Sequence, residues 1–175
     1  MQDRQITDIE QALDAAPGIS MSKSEVGGRT QFRARGYPVT NWKIDGLQFQ
    51  GGSDFSGGGS ALNMDMYERI DIVRGANGLL GGTGDPSATI NLIRKRPGTE
   101  FGGKAYATYG SWDKRRLGAD LNLPLSEDGR LRSRFVMTQQ EANSFRDQQS
   151  DRSRAALANF EFDLSDATTL GAGYQ

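Results

Sequence analysis

A chain of 175 residues can hold one ordinary domain, or a small domain and part of another. Its charge is even, with 11 basic and 11 acidic side chains in residues 1–97 and 10 and 11 in residues 98–175, so the electrostatic footprint of nucleic-acid binding is missing. Without cysteine or histidine the chain lacks the usual protein ligands of zinc, haem and iron–sulfur centres and any imidazole base, and no apolar run approaches the ~18 residues of a membrane-spanning helix.

Met1 leads into polar Gln2-Asp3-Arg4-Gln5 with no apolar stretch behind it, so no signal peptide is read there. The pattern of the rest favours truncation of a longer precursor at both ends. Thr7-Asp8-Ile9-Glu10 fits a capping box, Ile9, Leu13 and Ala16 recur on one helical face, and Pro17-Gly18 stops the run. The spacing predicts a short helix over residues 8–16. Thr30 to Arg35 alternates loosely and stops at Gly36-Tyr37-Pro38, while Asn41 to Ile44 enters Asp45-Gly46, a favoured hairpin dipeptide. Residues 51–60 form a glycine-rich segment containing Phe55. Asn63 to Glu68 can make a helical turn, Arg69 to Arg74 a strand with Ile70 and Ile72 on one face, and Ala88 to Arg94 another. Lys95-Arg96-Pro97-Gly98 reads as a boundary between a domain at 1–97 and a second at 98–175.

The pattern then changes to longer alternating runs. Ala105 and Ala107 share a face with Phe101 and Tyr109, and Leu117 to Leu123 repeat the alternation against Arg116, Asp120 and Asn122. Leu131, Phe135 and Met137 line a third run, Ala156 to Leu164 a fourth, and a fifth begins near Thr169. Each is expected at about 9–12 residues, the length a tilted membrane strand requires. Leu125 to Gly129 and Ser165 to Ala167 read as tight turns, Gly110 to Lys114 and Asn143 to Asp151 as looser or longer connections. That alternation is expected of a membrane barrel, although periodicity alone leaves open a soluble antiparallel meander with one wet face.

Tyr67-Glu68-Arg69-Ile70-Asp71-Ile72-Val73-Arg74-Gly75-Ala76-Asn77-Gly78-Leu79-Leu80-Gly81-Gly82, continuing through Ala88-Thr89-Ile90-Asn91 to Pro97, resembles the second half of the plug in TonB-dependent outer-membrane receptors. The branch that imports ferric siderophores of the pyoverdine and coprogen kind is the most similar. Phe32-Arg33-Ala34-Arg35-Gly36-Tyr37 with Ile44-Asp45-Gly46 resembles the first half, and Ala15 to Ile19 its start. The resemblance implies an α+β plug domain, a small mixed sheet with short helices, followed by the first ~5 antiparallel strands of an incomplete transmembrane β-barrel. It implies a receptor and transporter of the bacterial outer membrane, not an enzyme. Its partners would be a ferric siderophore, outer-membrane lipid and the TonB energy-transducing complex, whose contact segment would precede Met1.

A ferric siderophore arrives with its iron already wrapped in oxygen donors, so the protein needs aromatic surface and hydrogen-bond donors and no metal ligand or cofactor. The resemblance suggests ligand contacts at Arg35, Tyr37 and Trp42 in the first plug loop, Phe55 in the glycine-rich loop and Leu80 near the third. Core packing is the competing role for Tyr37 and Trp42. Arg35 and Arg74 match positions where the family locks plug to wall through barrel glutamates. Ser20-Met21-Ser22-Lys23 matches a penicillin-binding nucleophile motif without its companion elements and is set aside. The run Arg94-Lys95-Arg96 is read as an exposed hinge at the periplasmic rim. The alternatives are a soluble β-rich carbohydrate- or peptide-binding module, and a transporter of the same class for cobalamin or another non-siderophore substrate.

Overall fold

The computed structural model describes residues 9–23, 30–49, 63–75, 86–111, 113–143 and 150–175. They fall into two compact units, one running as far as Arg94 and one from Lys95 to Gln175.

The first unit opens with helix α1 (Ile9–Asp14), which buries Ile9 and Leu13 completely as their spacing predicts. It is shorter than expected at its C-terminal end. The Ala16 N–H turns back to the Leu13 carbonyl at 3.0 Å, and Gly18 takes a φ of 76° that stops the helix. Of the expected capping box, Thr7 lies outside the described residues; Glu10 accepts from the Thr30 hydroxyl at 2.5 Å.

Strands β1 (Ile19–Lys23), β2 (Thr30–Ala34) and β3 (Tyr37–Pro38) make a three-stranded antiparallel sheet. In β2 the alternation buries Thr30, Phe32 and Ala34. A second sheet contains β4 (Asn41–Ile44), β5 (Leu47–Phe49), β6 (Tyr67–Arg74) and β7 (Ala88–Arg94) in the order β5-β4-β7-β6. It is mixed: β4 runs parallel to β7, and the other pairs are antiparallel. Ile70 and Ile72 stand opposite Leu92 and Ile90, the shared face that the sequence pattern predicts. The helical turn expected after Asn63 is a 3₁₀ turn at Met64–Met66, capped by the Asn63 side chain, which accepts from the Asp65 N–H at 3.0 Å. Two tight hairpins shape the unit. Asp45-Gly46 joins β4 to β5 and Arg35-Gly36 joins β2 to β3, each with positive φ at both positions.

The second unit is an antiparallel meander of β8 (Gly102–Gly110), β9 (Lys114–Pro124), β10 (Leu131–Asn143), β11 (Ser150–Ser165) and β12 (Thr168–Tyr174). It does not close: β8 and β12 each have one neighbour. Register places Ala105, Ala119, Met137 and Ala156 in one row across four strands, and Leu121, Phe135 and Ala158 in the next such row. This apolar face is exposed, with Met137 at 66%. The opposite face carries Asp120, Asn122, Arg132, Arg134, Glu161 and Asp163. Arg132 bridges strands there, pairing with Asp163 at 2.6 Å and Glu161 at 3.3 Å.

Two expectations need correction. Strands β10 and β11 run to 13 and 16 residues, beyond the expected range. The strand ends also do not space the connections as expected: three residues separate β8 from β9, six separate β9 from β10, six separate β10 from β11 and two separate β11 from β12. In the 125–130 turn the Ser126 hydroxyl accepts from the Leu131 N–H at 2.9 Å. A hydrogen bond from Ser126, then one from the Arg130 N–H, holds the Asp128 carboxyl below the usual carboxylate range.

Candidate functional site

Strand directions bring Arg74 to one end of the four-stranded sheet of the first unit. Strands β4 and β7 run parallel from Asn41 and Ala88, β6 arrives antiparallel at Arg74, and β5 returns toward the same end. Strands β5 and β6 therefore both end on the side where Arg74 sits. Phe55 and Leu80 lie outside the described residues. At this end the Gly75 N–H donates to the Ser87 carbonyl at 3.0 Å, joining the end of β6 to the approach to β7.

Arg74 is exposed and reaches back to the helix exit, where its Nη1 donates to the Pro17 carbonyl at 2.7 Å. A Cβ on Gly18 would come within 2.9 Å of that same nitrogen, so the glycine leaves the guanidinium its place. Arg35 holds a φ of 55° in its hairpin, and its Nη1 lies 3.7 Å from where a Cβ on Gly75 would be. Two guanidiniums thus gather around residues 17–18 and 75. Among the described residues neither is paired with a carboxylate. A planar, permanently charged set of donors in that state can receive a carboxylate or a chelate oxygen.

The aromatic candidates divide. Tyr37, next in chain to the Arg35-Gly36 turn, is 50% exposed. Trp42 is 2% exposed; its Nε1–H donates to the Val39 carbonyl at 3.1 Å and its ring meets Phe32 edge-on at 5.7 Å. In this structure Trp42 does what the competing reading proposed: it packs the core.

One cluster escaped the sequence reading. Lys95 is 8% exposed, not part of an exposed hinge, and its Nζ lies 2.8 Å from Asp120 Oδ2. Arg134 grips the same carboxylate through two nitrogens at 2.8 and 3.0 Å and donates a third bond to the Arg96 carbonyl at 3.0 Å. The Asn122 side chain accepts from the Gly98 N–H at 2.7 Å and donates to the carbonyls of Gly98, 3.0 Å away, and Glu100. Asn159 donates to the Lys95 carbonyl at 3.2 Å. Residues 95–100 are therefore clamped onto the polar face of β9, β10 and β11. Only the alternation that puts Asp120, Asn122 and Arg134 on one face could have hinted at it. Among the described residues no group of three carboxylates gathers as a metal site would.

Residues 1–89 match the family model of the TonB-dependent receptor plug domain, and this chain belongs to that family. It is a family of receptors and not of enzymes. The ferric-pyoverdine BN7/BN8 receptor of Pseudomonas putida is 36% identical over 99% of this chain and 21% of its own length. The crystal structure of the ferripyoverdine receptor of the Pseudomonas aeruginosa outer membrane, bound to ferripyoverdine, superposes with a TM-score of 0.87. It is 36% identical, and the match covers 96% of this chain and 22% of that one. The alcaligin outer-membrane receptor of Bordetella pertussis gives a TM-score of 0.83 at 36% identity, over 96% of this chain and 28% of its own. The chain spans about a fifth of the length of the curated relatives it matches.

Proposed function

We propose that this chain is the plug, residues 1–97, and the opening wall strands, residues 98–175, of a TonB-dependent outer-membrane receptor that imports a ferric siderophore. The observation that carries this reading is similarity through both units, since the relatives' match runs over 99% of the chain, well past the plug. In this reading the second unit is the first five strands of a transmembrane barrel, with the apolar face toward lipid and the charged face toward the lumen. The plug gates the lumen and contributes to ligand binding, and the TonB complex supplies the energy to move it. Relatives named for pyoverdine and for alcaligin stand at equal identity, so ferric siderophore is the substrate class, and the curated pyoverdine receptors favour a pyoverdine-type chelate.

Arg35 and Tyr37 are the ligand contacts of the described residues: an unpaired guanidinium for chelate oxygens and a half-exposed ring for the chelator's apolar surface. Phe55 and Leu80 are proposed beside them. Trp42 supports the loop from beneath. Arg74 is the lock, its guanidinium held by Pro17 and open to a glutamate of the wall. The test is titration of the detergent-purified receptor carrying this chain with ferric pyoverdine, read by tryptophan quenching. Binding at micromolar concentration is expected, weakened about tenfold by Arg35→Ala, the loss of one charge-assisted hydrogen bond. No quenching by any ferric siderophore at that concentration overturns the substrate assignment.

A further inference from the structure

Arg94 and Lys95 are neighbours in the chain with opposite attachments. Arg94 closes β7 and is tied into the first unit: its N–H donates to Asp45 Oδ1 at 2.9 Å and its Nε to Asp45 Oδ2 at 2.6 Å. Asp45 is itself fixed in the β4–β5 hairpin, where its N–H donates to the Leu92 carbonyl at 2.9 Å. Lys95 belongs to the second unit, through its Nζ on Asp120 and through its carbonyl, which accepts from Asn159. Consecutive Cα atoms stand about 3.8 Å apart, so one peptide unit, without slack, joins the two attachments.

The two sides are built differently. On the first, one partly exposed carboxylate holds one arginine. On the second, register sets Asn122, Arg134 and Asn159 in a single row across β9, β10 and β11. From that row the three side chains reach the carbonyls of Lys95, Arg96, Gly98 and Glu100. Asp120, two residues before Asn122 on β9, binds both the Lys95 ammonium and the Arg134 guanidinium. The grips on Lys95 and Arg96 are therefore coupled through one buried carboxylate. Residues 95–101 form no strand or helix of their own, so these side chains take the place of a backbone ladder. Because they come from three strands, a load arriving along the chain is shared by the sheet.

We propose that residues 95–100 are a built-in stop: a plug pulled by its N-terminus yields as far as Arg94, and the grip of Asp120, Asn122, Arg134 and Asn159 halts the release at Lys95. The order follows from connectivity. Such a pull reaches Asp45 before Arg94, so the Asp45 bonds part first and Lys95 takes the load only after β7 has been drawn out. The proposal rests on the reading of the two units as plug and wall. The test is single-molecule force spectroscopy of the receptor carrying this chain, reconstituted in lipid bilayers and pulled by its N-terminus. Each force peak maps to the residue at which the remaining structure holds. A peak at Lys95 is expected, ahead of the one for β8 at Gly102. With Asp120→Asn, Asn122→Ala and Asn159→Ala combined, that peak is lost and the hold passes to Gly102, about 24 Å of chain further on. Asp45→Ala leaves the Lys95 peak in place. Heat-dependent electrophoretic mobility checks that each barrel has assembled; if the combined variant does not assemble, Asn159→Ala alone replaces it and lowers the force of the Lys95 peak. A first hold at Gly102 in the unaltered receptor, a Lys95 peak unchanged by loss of the grips, or one displaced by Asp45→Ala overturns the stop and leaves the receptor reading standing. A protein that does not insert into bilayers overturns the receptor reading itself.

Discussion

Arg35 sits where an L-residue is strained by about 1–3 kcal/mol, at a φ of 55° in a two-residue hairpin that favours glycine or asparagine. Nothing in the hairpin's own pairing asks for arginine, so its side chain is the reason for the strain. Arg35→Gly is expected to stabilise the first unit by about 1 kcal/mol and to weaken binding of a ferric siderophore, read by denaturant midpoint and by quenching titration. Loss on both counts would mean that Arg35 serves packing and not a ligand. Gly18 tests the neighbouring arginine. A methyl there meets both a φ of 76° and the Arg74 Nη1, so Gly18→Ala should lower stability by about 1–2 kcal/mol and free Arg74 from Pro17. In the receptor, Arg74→Ala should loosen the plug, measured as easier proteolysis of residues 1–97 with ligand affinity retained. Arg35, Tyr37 and Arg74 could be picked as candidates from sequence, because they lie in motifs. The fate of Trp42 could not. Its burial depends on Phe32 and on the Val39 carbonyl, and a local pattern cannot say which aromatic a fold turns inward.

The clamp on residues 95–100 is built at the scale of elements. Asp120 is 6% exposed and holds two cations, so Asp120→Ala takes the shared carboxylate from Lys95 and Arg134 and is expected to cost about 3 kcal/mol or more. Asn122→Ala removes the hydrogen bonds to Gly98 and Glu100 and should expose the segment to protease without unfolding the sheet, read by cleavage rate beside circular dichroism. A second element-scale device is the Tyr106 ring, which lies across Gly118 on the next strand, where an added Cβ would strike the ring. The limits of sequence reading at this scale are physical. The Asp45-Gly46 hairpin and strand β7 are local and were legible. The parallel pairing of β4 with β7 joins residues far apart in the chain, and the clamp does the same, so neither leaves a local pattern. Strands β10 and β11 outran their apolar periodicity because their last pairs are polar, as Arg152 with Glu141, and the backbone ladder continues where the hydrophobic signal stops.

At the scale of the molecule the two units make opposite demands on solvent. The first keeps Ile9, Leu13, Phe32, Trp42, Met66 and Ile90 inside and can face water. The second exposes Leu117, Met137, Phe160, Phe162, Leu170 and Tyr174, and one row free of polar side chains, Gly103, Leu121, Phe135, Ala158 and Tyr174, crosses all five strands. A continuous apolar sheet face of that extent marks a surface meant for lipid or a partner, and the open edges of β8 and β12 add unpaired backbone groups able to recruit other chains. The 175-residue chain is therefore expected to aggregate in detergent-free buffer and to disperse in detergent, whereas a chain ending at Arg94 should stay soluble, both measured by size-exclusion chromatography. The contrast between the two lengths is the informative part. If aggregation came from the glycine-rich segments of the first unit, the shorter chain would aggregate too. A monodisperse longer chain in water would mean that the alternating face has a soluble partner surface, and the wall reading of residues 101–174 would fall with the transport function built on it.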